Sequence, residues 1–304
     1  MNSGLDPIAA DGGKLAVLAM DQRGSLRAML DKAGQPSSDA DLTAFKVDVI
    51  GALSPLASGV LTDVEYGVAA VRRTGALAER AGLLIAAEPA AKKSWNGEQR
   101  SFVYPERNAA WVTANTGDAM KFLVYWRPDR MPVGDEPDLA EETLDAVCTV
   151  VLDCAAEGIP SVIEPLITTL RDEPKATGDL AHELVIQSAT RLAKLRPSLL
   201  KLEWPGSAEG CRRVTEGLGD VPWALLSAGV QYEAFVERTR TALDAGACGF
   251  IAGRAIWGEA VTLAGDERRR FLAEVSVPRQ QGLLNVLREH GRSWREVAGQ
   301  EVTG

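Results

Sequence analysis

Lys201 stands in the middle of LLKLEWPG, Leu199 to Gly206, an apolar run too short for a helix that reads as a buried strand. Such a strand has no easy place for an ammonium, so a buried lysine either finds a partner or gives up its proton. A lysine without its proton is a nucleophile. At the carboxyl end of a barrel strand it becomes a candidate for a Schiff base with a carbonyl substrate. Strand alternation puts Leu199, Lys201 and Glu203 on one face, with Lys201 the deeper of the two polar groups. Lys121, within AMKFLVYWRPD, leaves two readings open. It is a structural ion pair with Glu164 or Glu88, or it is a second cation beside the first. In the second case, charge and burial together lower a lysine from about 10.4 toward roughly 7 to 8, where it can react at neutral pH.

These side chains need a frame, and the sequence repeats one. A short apolar run ends in polar residues and is followed by an amphipathic stretch. The pattern begins at KLAVLAMDQRG and recurs from Gly59, Gly82, Ala119, Ile159, Leu199, Trp223 and Cys248. About eight strands, each followed by enough chain for a helix, are the pattern of parallel βα units. The helical stretches include DLTAFKVDVIGALSPL, DLAEETLDAVCTVVLDCAAEG, AHELVIQSATRLAKLR and YEAFVERTRTALDAGA, with Asp41 and Asp138 as N-caps and Gly158 and Gly246 as stops. An open dinucleotide-binding sheet would carry GxGxxG after its first strand, and DQRGSLR is not that turn. The expected fold is therefore α/β, a single (βα)8 TIM barrel over residues 1–304. Its core is expected at about 14–275, with additional terminal helices and a C-terminal helical extension at about 276–304. The opening MNSGLDPIAADGG is expected to wrap the outside, and Trp95 to Glu106 to form a polar loop over the mouth.

In such a barrel, chemistry gathers at the carboxyl ends of the strands. There the sequence places Asp21 and Gln22, Asp63 and Glu65, Glu88, Lys121, Glu164, Lys201 and Glu203, Ser227, and Arg254. Each taken singly is more often solvated or paired with a loop; together they line a mouth with carboxylates and two lysines over apolar walls. LSAGV and IAGRAIWG read as small-residue turns after strands 7 and 8, the usual place for a phosphate in this architecture. Ser227, Ala228 and Gly229 free backbone N–H groups for an anion, and Arg254 adds a bidentate charge-assisted contact.

Composition narrows the classes. A net charge of -9 argues against general affinity for nucleic acid or anionic membrane. Two histidines, His182 and His290, lie far apart and are too few for an ordinary catalytic zinc site or the usual Ser-His-Asp and Cys-His schemes. The four cysteines, Cys148, Cys154, Cys211 and Cys248, form no CxxC pair and read as reduced structural thiols of a cytoplasmic protein. No apolar segment approaches the ~20 residues of a membrane span.

Across residues 15 to 260, MDQRGSLRAML, EYGVAAV, GLLIAAE, AMKFLVYWRPD, IEPLI, LLKLEWP, PWALLSAGV and GFIAGRAIW occur in one order. In this the sequence resembles the class I aldolases that comprise tagatose-bisphosphate aldolase and sulfofructosephosphate aldolase. The resemblance implies a Schiff-base nucleophile at Lys201, with Lys121 and Glu164 beside it. It also implies a substrate site at Asp21 and Gln22, and an anion site at Ser227, Gly229, Gly253 and Arg254. Pro165 after Glu164, Trp126-Arg127 at the end of the fourth strand, and the short connection from Lys201 to Pro222 are more similar to the sulfofructosephosphate subgroup.

The expectation is a metal-independent, cofactor-free aldolase cleaving a ketohexose 1-phosphate to dihydroxyacetone phosphate and a three-carbon aldehyde. The substrate expected first is 6-deoxy-6-sulfofructose 1-phosphate, with tagatose or fructose 1,6-bisphosphate as the alternative. Glu164 is expected to dehydrate the carbinolamine and take the C4 hydroxyl proton, with Lys121 depressing the pKa of Lys201 and holding Glu164. Arg23, Lys93, Arg100 and Arg127 are candidates for the opposite end of the sugar, and a homo-oligomer is expected. Two other classes stand beside this one: a carboxylate-based phosphosugar isomerase or epimerase, and a non-catalytic phosphosugar-binding regulator.

Overall fold

The computed structural model describes residues 4–90 and 93–299. Eight parallel strands close into a barrel: β1 (Leu15–Met20), β2 (Gly59–Thr62), β3 (Gly82–Ala86), β4 (Ala119–Trp126), β5 (Ser161–Ile167), β6 (Leu199–Leu202), β7 (Trp223–Leu226) and β8 (Gly249–Ala252). Each strand neighbours the next, and β8 returns to β1. With helices outside and side chains filling the inside, both faces are buried, which is why these runs are apolar throughout.

The period-2 alternation sorts the strands into two layers. Val17, Ala19, Leu61, Leu84, Ala86, Ala119, Val162, Leu199, Ala224 and Ile251 fill the interior. Ala16, Leu18, Met20, Leu83, Met120, Ile163, Leu200 and Phe250 pack outward against the helices. The interior columns explain the site. Two residues beyond Ala19, Ala86, Ala119, Val162 and Leu199 stand Asp21, Glu88, Lys121, Glu164 and Lys201, so five inward columns each carry an ionisable group into the cavity. Pairing of Val162 with Leu199 and Ile163 with Leu200 carries Glu164 level with Lys201 one step further along.

The N-terminal residues close the bottom of the barrel instead of wrapping its outside. Leu5 and Ile8 are fully buried in the interior cluster with Trp294. A methyl group on Gly82 would fall 1.9 Å from the Pro7 carbonyl oxygen, so only glycine lets this plug approach β3. At the other end, helix Val277–His290 packs against Tyr232–Asp244 and Asp39–Leu53 and fills the ring between the seventh and first outer helices. Tyr232 Oη donates to the Arg279 carbonyl at 2.9 Å across that contact. The border expected near 276 thus precedes a helix of the ring.

Two local readings change. The N-cap of Asp39–Leu53 is Ser38, and Asp41 is the third helical residue of a capping box whose carboxylate reaches back to the Ser38 N–H. Asp138 does cap its helix, accepting from Ala140 and Glu141, and Gly158 ends the same helix in the left-handed conformation. Gly246 lies one residue beyond the Ala245 cap of Tyr232–Asp244. The expected polar loop begins instead as a β-hairpin: Lys93–Trp95 pairs antiparallel with Glu98–Arg100. Asn96 and Gly97, both at positive φ, make its two-residue turn, as Asn-Gly pairs favour.

Candidate active site

Lys201 Nζ lies 2.8 Å from Glu164 Oε1, and Lys121 Nζ lies 2.8 Å from Glu164 Oε2. One carboxylate therefore bridges two lysines on flanking strands. Lys121 also reaches Asp21 and Glu88, both at 2.9 Å, and Glu88 Oε2 accepts from the Leu123 N–H. Arg23 closes the cluster against Glu88 at 3.4 Å and Glu65 at 3.3 Å. Lys121 is fully buried, and Glu164 and Lys201 nearly so.

Burial opposes charge at each of these groups, and the cluster overcomes it. Burial works against the Lys121 ammonium, but Asp21, Glu164 and Glu88 hold it well above the ordinary lysine value. Burial would raise Glu164, yet Lys121 and Lys201 outweigh it and hold the carboxyl below its usual value. Asp21 is lowered in the same way, against burial, first by Lys121 and then by Lys201. Three carboxylate contacts of 2.8–2.9 Å favour the ion-paired reading of Lys121. Glu203 behaves oppositely, because burial dominates and raises it.

The cluster forms the floor of a cavity of about 750 Å³ at the carboxyl ends of the strands. Asp21, Gln22, Lys121, Glu164, Lys201, Ser227, Gly253 and Arg254 all line it, as do Glu88 and Glu203. Gly229 stands behind the wall: its φ is +76°, and a Cβ there would meet the Arg254 guanidinium carbon at 3.2 Å. The Gly253 N–H donates to Ser227 Oγ at 3.3 Å, tying the turns after β7 and β8 together. Of the four cations considered for the opposite end, only Arg23 lines the cavity. Arg127 turns away to Asp129 and Glu173, Arg100 pairs with Glu142, and Lys93 lies over the Phe102 ring. Arg100 and Lys93 border a small adjoining recess shared with Glu88 and Tyr125.

Asp63 does not face the mouth. It forms a fully buried ion pair with Lys46 at 2.6 Å, and Lys46 Nζ also donates to the carbonyls of Met20 at 2.7 Å and Gln22 at 2.8 Å. Burial pushes Lys46 down and Asp63 up, so the pair is held together with little solvent to support either charge. Lys46 thus fixes the backbone on both sides of Asp21. Its spacing was the available signal, since Leu42, Lys46, Val49 and Leu53 form the buried stripe of one helix. Lys175, on the loop after β5, also lines the cavity and carried no comparable signal.

A closed parallel barrel with lysines and carboxylates in contact at the carboxyl ends of its strands is a (βα)8 barrel whose ionisable cluster stands where enzymes of this architecture carry their chemistry. The chain belongs to the DeoC/LacD aldolase family, whose pattern matches residues 15–259, and is accordingly a lyase. The tagatose 1,6-diphosphate aldolase of Listeria monocytogenes serovar 1/2a is 30% identical over 308 aligned residues, covering 93% of this chain and 88% of that protein. Tagatose 1,6-diphosphate aldolase 1 of Streptococcus pyogenes serotype M3 is 29% identical, covering 93% and 94%. Among solved structures, a Schiff-base-forming fructose-1,6-bisphosphate aldolase superposes with a TM-score of 0.64 at 16% identity, covering 93% of this chain and 97% of that one. A Corynebacterium glutamicum protein superposes at 0.67 with 19% identity, covering 93% and 88%. At these identities the superpositions speak for the fold. Among the described residues, no helix is long and apolar enough to cross a membrane.

Proposed function

We propose that this aldolase is of class I and cleaves a ketohexose 1,6-bisphosphate, tagatose or fructose, reversibly into dihydroxyacetone phosphate and glyceraldehyde 3-phosphate. The observation that carries the mechanism is the 2.8 Å contact of Lys201 with Glu164 at the floor of the cavity. Lys201 releases its ammonium proton to solvent and attacks the C2 carbonyl, and loss of water leaves an iminium ion. Glu164, kept ionised by Lys121 and by the positive iminium nitrogen of Lys201, takes the C4 hydroxyl proton; C3–C4 breaks, and its electron pair moves into the iminium to give an enamine. Asp21 and Gln22 orient hydroxyls; Gln22 Oε1 is buried and accepts no hydrogen bond from the described residues. Ser227, Gly253 and Arg254 hold the C1 phosphate, with Gly229 giving the turn its shape. No step draws on a cofactor.

The bisphosphate is preferred to the sulfonated sugar for two reasons. The curated relatives described above are tagatose 1,6-diphosphate aldolases. In addition, Arg127, part of the leaning toward the sulfofructosephosphate subgroup, is engaged by Asp129 and Glu173 and lines no part of the cavity. The test is a paired cleavage assay with tagatose 1,6-bisphosphate and 6-deoxy-6-sulfofructose 1-phosphate on the native protein and on Lys201→Met. Preference for the bisphosphate, lost in the variant, is expected. Cleavage of the sulfonated sugar alone would reverse the substrate assignment, and undiminished turnover by Lys201→Met would remove the Schiff base.

A further inference from the structure

Four carboxylates line the cavity, and three are ion-paired within it: Asp21 and Glu88 to Lys121, and Glu164 to both lysines. Glu203 is the exception. Among the described residues no cation stands within ion-pair distance of it, and its Oε2 is held in place by the Ile167 N–H at 3.2 Å. It follows Lys201 by two residues, one past the end of β6, and lines the same cavity as the lysine. It is half-buried on the cavity wall.

We propose that Glu203 is a second catalytic carboxyl group, the acid that protonates the carbinolamine hydroxyl formed on Lys201. The inference rests on the class I reading above. Dehydration needs a proton at that hydroxyl, and Glu164 is poorly suited to carry one, because Lys121 still stabilises its ionised form at 2.8 Å after Lys201 has become the uncharged carbinolamine nitrogen. Glu203 is suited, because burial favours its neutral form and, with the neighbouring Glu164 charge, outweighs the Ile167 N–H bond and the weaker pull of Lys175 from the loop after β5, which favour the carboxylate. Two carboxyl groups whose surroundings push their proton affinities apart divide acid from base between them. In the step itself the Glu203 proton passes to the C2 hydroxyl. The C2–O bond breaks with its electron pair leaving on water, the Lys201 nitrogen lone pair forms the C=N bond, and Glu203 remains as carboxylate. When the iminium of dihydroxyacetone phosphate is hydrolysed, the attacking water returns that proton to Glu203.

The test follows formation of the borohydride-reduced adduct with dihydroxyacetone phosphate, by intact mass against time, in the native enzyme, Glu203→Gln and Glu203→Asp. Expected is adduct formation about a hundredfold slower in Glu203→Gln. The native rate should fall as pH rises through the Glu203 titration, that limb should be missing in Glu203→Gln, and Glu203→Asp should restore part of both. Circular dichroism checks that each variant is folded; if Glu203→Gln is not, Glu203→Asp carries the test through a displaced pH limb. A native rate and an unchanged pH profile in the folded variants, or a higher KM with unchanged kcat, would overturn the proposal alone. Failure of the native enzyme to form any adduct would overturn the class I reading with it.

Discussion

Glu164 and Lys201 meet at 2.8 Å because β5 and β6 are in register at Val162–Leu199, which brings their inward-facing columns level two residues later. The same carboxylate spans to Lys121 on the other side, so Lys201, the proposed nucleophile, and Lys121 share a single carboxylate. The bridge favours an ionised Glu164, which under the proposed class I scheme is the base that takes the C4 hydroxyl proton.

Replacing Glu164 by Gln keeps the shape and removes the base. Turnover is expected to fall about 10²- to 10⁴-fold. Adduct formation with dihydroxyacetone phosphate should persist, since that step needs no C4 proton transfer. Steady-state cleavage and intact-mass trapping on one preparation check both, and cleavage within threefold of native would remove Glu164 from the bond-breaking step.

Acid stability follows from the lowered carboxyls. Asp21 and Glu164 sit below their ordinary values of 3.8 and 4.5, so the unfolded chain binds their protons more readily than the folded one. Their contribution is complete above those ordinary values and is lost as pH falls through the folded ones. Lys121, raised above its ordinary 10.5, keeps its contribution throughout neutral pH and beyond. Thermal stability should therefore fall steeply in acid, and Glu164→Gln should show a shallower acid fall than the native protein. Parallel acid curves for the two would contradict the linkage.

The Lys46–Asp63 pair gives a stability prediction with a kinetic rider. Lys46→Met leaves a fully buried carboxylate without its cation, at a cost of about 3–5 kcal/mol. It also removes the donor to the Met20 and Gln22 carbonyls that flank Asp21. Denaturant unfolding should show the loss, and the double variant Lys46→Met with Asp63→Asn should recover part of it. The double variant's kcat should remain below native, because the β1 backbone is still unanchored; native kcat would show that Lys46 is structural only.

Gly229 tests the anion site through its backbone. A residue with a Cβ is strained at φ +76°, and the added methyl presses on the Arg254 guanidinium at 3.2 Å. Gly229→Ala should cost about 1 kcal/mol of stability. It should raise KM for the phosphorylated sugar more than it lowers kcat. An unchanged KM would separate Arg254 from phosphate binding.

The barrel was legible because its strands announce themselves twice, as apolar runs of strand length and by the polar residue that ends each one. β2, β3, β4, β6 and β7 begin at the residues the pattern marked. Lys201, Lys121, Glu164 and Asp21 stood out only as a set: each singly has a bland reading, but strand after strand places a polar group at one mouth, and all four line the cavity. The plug at Leu5 and Ile8 and the closing helix Val277–His290 were not, because burial there depends on contacts with the distant chain end and with the first and seventh outer helices. The hairpin at Lys93–Arg100 was missed where its Asn96-Gly97 turn lay within a polar stretch that showed no apolar alternation.

The sequence by itself determined which groups could react and that a parallel barrel would present them, because alternation and strand length are local properties. Tertiary structure alone decided how those groups are ionised and which of them touch. Register between neighbouring strands sets the lysine–carboxylate distances, and burial set against several partners at once sets each proton's affinity. For the same reason Lys46 and Glu203 gained their meaning only in the folded chain: one is buried against a carboxylate and two backbone carbonyls, and the other stands apart from every ion pair around it.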